Sequence, residues 1–163
     1  MLIKLTLAEI QIASMVGIQR QIEDIKWGNH EKYGAKKDLA WQRHIEGALT
    51  ECAMAKFLNV YWNKAKWNLP DVGDVDVRAS SVPDRELIIR KNDDPDKKYY
   101  LLIGINGEYE IKGWLYGRDA MKDQFWTSKD TGRPPAWFVP QSYLNPLDGK
   151  SPLMALEKDF LDD

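Results

Sequence analysis

The stretch Pro70-Asp-Val-Gly-Asp-Val-Asp-Val-Arg78 marks the point where the chain changes its pattern. Upstream of it, apolar residues recur at helical spacing; from it onward they alternate with polar ones. Successive side chains of an extended strand point to opposite faces, so Val75 and Val77 share one face and Asp74, Asp76 and Arg78 share the other. Pro70 and Gly73 punctuate the approach and place Asp71 on the turn that leads in.

Downstream, Glu86-Leu-Ile-Ile-Arg90, Tyr99-Tyr-Leu-Leu-Ile-Gly104 and Glu108-Tyr-Glu-Ile-Lys-Gly-Trp-Leu115 are further strand-like runs. Asn92-Asp-Asp-Pro-Asp-Lys97 is rich in turn formers, and Asn106-Gly107 is a tight-hairpin signal. A four-stranded, mostly antiparallel sheet that begins as a meander is the economical expectation. Arg118 to Trp126 predicts a further helix, after which Thr131-Gly-Arg-Pro-Pro135 and Val139-Pro140 impose an extended path. Ser151-Pro152 has the form of an N-cap followed by proline at the first helical position, which predicts a C-terminal helix over 151–161.

Upstream, Thr6 with Glu9 forms a capping-box pattern, and Met15, Ile18, Ile22 and Ile25 follow at spacings of three and four. They predict a helix over about 7–26. Asp38 is placed to cap a second helix running to about Tyr61, with Leu39, Ile45, Leu49, Cys52 and Leu58 as apolar contacts. The fold class is therefore α/β in the α+β sense, with two helices ahead of any sheet.

The chain's 163 residues suit a single domain spanning 1–163. With 44% apolar and 29% charged residues it has the composition of a globular protein, not of a fibre or a disordered tail. Lys+Arg 23 against Asp+Glu 25 gives a net charge of -2, which argues against loose coating of nucleic acid while leaving room for a local basic groove. The one cysteine, Cys52, excludes an internal disulfide scaffold and fits a reducing compartment. Charge inside the N-terminal apolar stretch argues against a signal peptide, and no run nears the ~18 apolar residues of a membrane span, so no membrane role is expected and the expected location is cytoplasmic.

Chemistry concentrates between Gly47 and Arg78. In Gly47-Ala-Leu-Thr-Glu51, the glycine and the acid are four apart on one helical face, and small neighbours clear space around Glu51 for a sheet, a metal or a phosphate backbone. Asp71, Asp74 and Asp76 supply carboxylate oxygens, the preferred ligands of Mg²⁺, which takes one or two of them and fills its remaining positions with water and phosphate oxygens. Arg78 is suited to hold a phosphate bidentately.

A helix bearing Gly-x-x-x-Glu, then Pro-Asp, then an acid–x–base triplet on a strand resembles the PD-(D/E)XK nuclease superfamily, which includes restriction endonucleases and Holliday-junction resolvases. Gly47 and Glu51 match the helix acid, Pro70-Asp71 the Pro-Asp, and Asp76-Val77-Arg78 the triplet. The resemblance implies a restriction-endonuclease-like core over about 36–147, with the first and last helices packed on it. It also implies a DNA endonuclease or resolvase in which Glu51, Asp71 and Asp76 surround Mg²⁺ (or Mn²⁺) and Arg78 positions the scissile phosphate. A homodimer is expected if both strands are cut. The family places lysine where this chain has Arg78, so a second register is open: Asp74 or Asp76 as first acid, with Glu110-Ile111-Lys112 as a complete acid–x–lysine triplet. Residues 45 to 147 are also similar to uncharacterised small proteins of tailed bacteriophages, through Pro70-Asp-Val-Gly73, Leu87-Ile-Ile-Arg90, Gly113-Trp114 and Phe138-Val-Pro-Gln141. That similarity implies a host-cytoplasm setting and admits a catalytically inactive module that binds a host or viral protein.

Two further residues are candidate substrate contacts: His44, three residues before Gly47 on the same helical face, and Arg90, beside the acidic turn. Cys52, in mid-helix, has the position of a small core residue. Lysines adjoin aromatics at Lys26-Trp27, Lys64-Ala-Lys66-Trp67, Lys97-Lys98-Tyr99 and Lys112-Gly-Trp114, a pattern that suits base stacking as well as core packing. No Walker or Gly-x-Gly-x-x-Gly pattern is present.

Overall fold

The computed structural model describes residues 1–28, 39–63, 70–129 and 132–147. Strand β1 (Leu2–Lys4) leads into helix α1 (Leu7–Trp27). The helix starts where the sequence predicts: the Thr6 hydroxyl accepts the Glu9 N–H, and the Glu9 carboxylate accepts the Thr6 N–H. Gly28 closes it in the left-handed conformation (φ 63°), which glycine adopts without a Cβ clash. Helix α2 (Ala40–Leu58) ends on Asn59, likewise left-handed. Its N-cap is Leu39, which lends no side-chain hydrogen bond; the predicted cap Asp38 and the predicted helix 151–161 lie outside the described residues.

The two helices cross closely at Gly17. A Cβ there would lie 2.5 Å from Ile45 Cα and 2.6 Å from the His44 carbonyl oxygen, so only glycine permits this approach. The buried side of α1 is Ala13, Val16, Gly17 and Gln21. The apolar stripe that sequence periodicity assigns to the core faces outward instead, with Met15 62%, Ile22 52% and Ile25 62% exposed. Close helix approach selects small residues, and these carry too little hydrophobicity to register in a periodic pattern.

Strands β2 (Val75–Ser80), β4 (Lys98–Ile105) and β5 (Glu108–Tyr116) join β1 in a four-stranded sheet of order β1-β5-β4-β2. The β1/β5 and β4/β5 pairs are antiparallel, and β2/β4 is parallel. Asn106 and Gly107, both at positive φ (57° and 88°), make the predicted tight turn between β4 and β5. The strand composition of the sheet corrects the predicted meander. Strand β3 (Leu87–Ile89) leaves it and pairs with β7 (Ala136–Val139), which also pairs with β6 (Trp126–Thr127), forming a second, three-stranded antiparallel sheet. Because parallel neighbours cannot be joined by a hairpin, the chain between β2 and β4 must cross over, and β3 lies on that path. The fourth strand of the first sheet is instead β1, at the far edge beside β5, so a strand precedes the helices. The helix predicted over 118–126 is shorter: α3 (Gly117–Ala120), then a 3-10 turn at Asp123–Phe125 that draws Phe125 into the core, with Trp126 already in β6.

Strand β4 is central to both cores. Tyr100 and Leu102 pack with Leu49, Ala53, Met54 and Phe57 under the helices; Tyr99, Leu101 and Ile103 pack with Leu87, Ile89 and Val139 of the second sheet.

Two glycine replacements separate packing from helix propensity. Gly17→Ala should lower stability by about 1–3 kcal/mol, the usual cost of overpacking. At Gly47 a Cβ would meet nothing within 4 Å, so Gly47→Ala should raise stability by about 1 kcal/mol. Urea denaturation of the two variants beside the parent, at unchanged m-value, checks both signs.

Candidate functional site

Strand β2 lies at the edge of its sheet, and the turn before it folds back along that edge. Val72 and Val75 exchange backbone hydrogen bonds (3.1 and 2.9 Å), with Gly73 at φ 57° and Asp74, exposed, at the tip. This turn brings Asp71 beside Asp76. The Val77 N–H donates to Asp71 Oδ2 (2.9 Å), and the Asp71 N–H donates to Asp76 Oδ1 (3.1 Å). Each aspartate therefore satisfies a backbone donor of the other's segment. The second oxygen of Asp76 accepts from Lys97 Nζ at 3.2 Å.

Val75 and Val77 belong to the core beneath the helices. By alternation, Asp76 and Arg78 project from the opposite face, toward the second sheet. There Arg78 is fastened at several points: Nη2 donates to Asp93 Oδ2 (2.9 Å), Nε donates to the Ile88 carbonyl (3.3 Å), and the guanidinium lies 4.9 Å from the centre of the Tyr99 ring. Burial works against its charge, but Asp93, Asp76 and Asp71 outweigh burial and hold it protonated. Asp93 also accepts the Arg90 N–H (2.7 Å), so the backbone of Arg90 and the side chain of Arg78 are tied to the same acid.

Glu51 approaches from the helix layer. Both of its oxygens accept from Arg20 on α1, at 2.8 Å each, and Oε2 also accepts from Trp62 Nε1 at 3.2 Å. A bidentate fork of this kind is the strong form of the arginine–carboxylate pair. His44 Nε2 lies 2.9 Å from Asp24 Oδ2, tying α2 to α1. Asp71 stands between the two groups, close enough to feel both. Burial, then the neighbouring charges of Asp76 and Glu51, push its carboxyl up to about 6, against a lowering by the Val77 N–H.

The structure thus brings Asp71 and Asp76 into direct contact, with Glu51 and Arg78 as electrostatic neighbours on either side of the sheet edge. It does not assemble the second register: Glu110 and Lys112 pair with each other on β5, and β4 runs between them and Asp74. Burial pushes the Cys52 thiol up to about 11, so it is held as the unreactive thiol. The sequence assigns no part in the site to Arg20 or Trp62, and it marks Lys97 only as a lysine beside aromatics and Asp93 only as part of an acidic turn. Lys97 and Asp93 lay in the turn-rich run already noted; nothing in the sequence paired Arg20 with an acid 31 positions on.

Among the described residues no three histidine, cysteine or acidic side chains stand as a ready set of metal ligands. Asp71 nonetheless fits a hard, oxygen-preferring cation, since Oδ2 accepts the Val77 N–H and the side chain forms no ion pair among the described residues, and Mg²⁺ needs only one or two carboxylates; Asp76 would join it by giving up Lys97 from one oxygen. Glu51, with both oxygens held by Arg20, does not fit without breaking that fork. No helix among the described residues is long and apolar enough to cross a membrane. Comparisons of the chain with protein-family models, with curated proteins and with solved structures find no match in any of the three.

The position of Asp71 has a pH consequence. Its folded pKa of about 6 lies above the ordinary carboxyl value, so between about pH 4 and 6 the folded state keeps a proton that the unfolded state has lost, and stability falls as pH rises through that window. Asp71→Asn removes the charge and keeps an acceptor for the Val77 N–H. In EDTA it should raise the melting midpoint at pH 7.5 by about 2–4 °C, corresponding to about 1 kcal/mol after discounting for solvent screening, and leave it nearly unchanged at pH 4.5. Paired melts at the two pH values check this.

Proposed function

We propose that the β2 edge is the site of a divalent-cation-dependent phosphodiesterase, a DNA endonuclease or resolvase-like enzyme on a restriction-endonuclease-like core. The observation that supports this reading is the interlock of Asp71 and Asp76 at an open sheet edge with the ammonium of Lys97 against them. Asp71 and Asp76 would hold Mg²⁺ or Mn²⁺, which when bound lowers the pKa of a water and neutralises charge on a phosphate. Lys97 offers three mobile donors and a point charge, suited to hold an attacking water or a phosphate oxygen. It takes the part that the family resemblance would assign to a lysine at position 78. Arg78 keeps the Asp76 face in place, and Arg20 holds Glu51 back as a charge that sharpens the Asp71 site for a cation.

A second reading, a non-catalytic module on the same frame, is favoured by one observation: Glu51 and Asp76 are already neutralised by Arg20 and Lys97. Thermal melting with Mn²⁺ or Mg²⁺, followed by plasmid nicking, separates the two. For the nuclease, Mn²⁺ at 100 times its Kd should raise the midpoint by about 5–10 °C, since a ligand confined to the folded state stabilises it by about 2.7 kcal/mol at that ratio. Asp76→Asn should abolish both the rise and nicking. Lys97→Met should keep the rise and lose nicking by about 100-fold, the usual weight of a proton-transfer or positioning group. A parent protein that neither gains stability from the ions nor nicks DNA overturns the proposal in favour of the binding module.

A further inference from the structure

Beyond Arg78, on the face that looks toward the second sheet, lies a cleft of about 260 Å³. Arg78, Arg85, Arg90 and Arg133 line it with Ser80, over an apolar floor that includes Ile88 and Leu101. Its acid, Glu86, is taken up by Lys129, and Asp93 answers Arg78. Arg85 makes a hydrogen bond to the Ser80 hydroxyl (3.3 Å) but meets no carboxylate among the described residues. Arg133 forms no hydrogen bond or ion pair among the described residues.

Arg78 has its counter-charge in Asp93, but Arg85 and Arg133 bring two further guanidinium groups to the cleft with no carboxylate among the described residues, and an anion between them would relieve their repulsion. The pattern is also selective. Guanidinium forks match the oxygens of a phosphate in pairs, where ammonium groups would serve only as point charges. Ile88 and Leu101 on the inner wall lower the local dielectric on that side of the donors. Several convergent cations favour a doubly charged group over a singly charged one, and the volume admits a phosphate with a small attached body rather than a folded partner.

We propose that this cleft is a binding site for a phosphomonoester dianion, held by Arg85 and Arg133 at its mouth and by Arg90 and Ser80 deeper in. The inference does not rest on the phosphodiesterase reading, because it uses different side chains and needs no cation. Two sources share the chemistry, a small phosphorylated molecule and the phosphorylated end of a nucleic-acid strand, and the test distinguishes them.

Calorimetric titrations in EDTA would use inorganic phosphate, a nucleoside monophosphate, and a short single-stranded oligonucleotide with and without a 5′-phosphate. Binding of the phosphorylated probes at least tenfold tighter than the unphosphorylated oligonucleotide is expected. Arg85→Ala with Arg133→Ala should weaken that binding at least tenfold while leaving the melting midpoint within about 2 °C, since both side chains are exposed. Arg85→Lys with Arg133→Lys should recover only part of it, because charge returns without the fork. A preference for the nucleoside monophosphate identifies a small-molecule site, and a preference for the phosphorylated strand identifies a strand-end site; either supports the proposal. Equal binding of the phosphorylated and unphosphorylated oligonucleotides, no binding of any phosphate, or binding indifferent to the double alanine variant overturns it. Asp71→Asn, which disables the proposed cation site, should leave these affinities unchanged, so failure of one proposal does not decide the other.

Discussion

Strand β4 is apolar on both faces, and this is the constraint from which the architecture follows. A strand that presents Tyr100 and Leu102 to one side and Tyr99, Leu101 and Ile103 to the other must be covered twice. Helices cover one face and the small second sheet covers the other. Once β4 sits between two layers, its parallel neighbour β2 is committed too. Val75 and Val77 go to the helix side with the rest of that core, and Asp76 and Arg78 are left facing the second sheet. The chemistry of the edge is thus a by-product of how the centre is buried.

That commitment also decides which charges find partners. Glu51 is buried under the helices, where an uncompensated carboxylate would cost several kcal/mol, and Arg20 meets it with a two-pronged fork. Asp71 sits at the rim, where a backbone N–H and partial access to water are enough to keep it without an ion pair among the described residues. The rim is therefore where a cation gains most by arriving, since burial first, and the charges of Asp76 and Glu51 after it, hold the Asp71 carboxyl high and a cation would offset all three. A buried, fully paired acid has much less to gain.

How much of this was legible in the sequence depends on whether the signal was local. The capping box at Thr6 and Glu9, the Asn106-Gly107 turn and the alternation over Val75–Arg78 are each written within a few residues, and each appears where the sequence places it. The side of α1 that faces inward was not legible, because the contact is made by Ala13 and Gly17, while the residues with the strongest periodicity, such as Ile22 and Ile25, remain exposed. The three-residue β1 is too short to announce itself, yet it supplies the edge beside β5, while direct pairing of β2 with β4 leaves β3 to the second sheet. In the site, the proximity of Asp71 to Asp76 was foreseeable from four intervening residues and a glycine turn. Lys97 was not, because its approach depends on β2 and β4 running parallel, which brings the start of β4 level with Val75.

Position 78 shows why a residue type should be read through its contacts. Against a family pattern, an arginine in place of lysine suggests a lost catalytic group. In the structure it donates to Asp93, to the Ile88 carbonyl and, at 3.4 Å, to the Val77 carbonyl, and its plane lies over Tyr99. A lysine has one nitrogen and no plane, so it could not bind the acidic turn, strand β3 and the ring of β4 at once. Arg78 is thus the bolt between the two sheets, a role that demands the guanidinium. It also lines the arginine-rich cleft. With position 78 accounted for by structure, the ammonium that meets Asp76 among the described residues is that of Lys97.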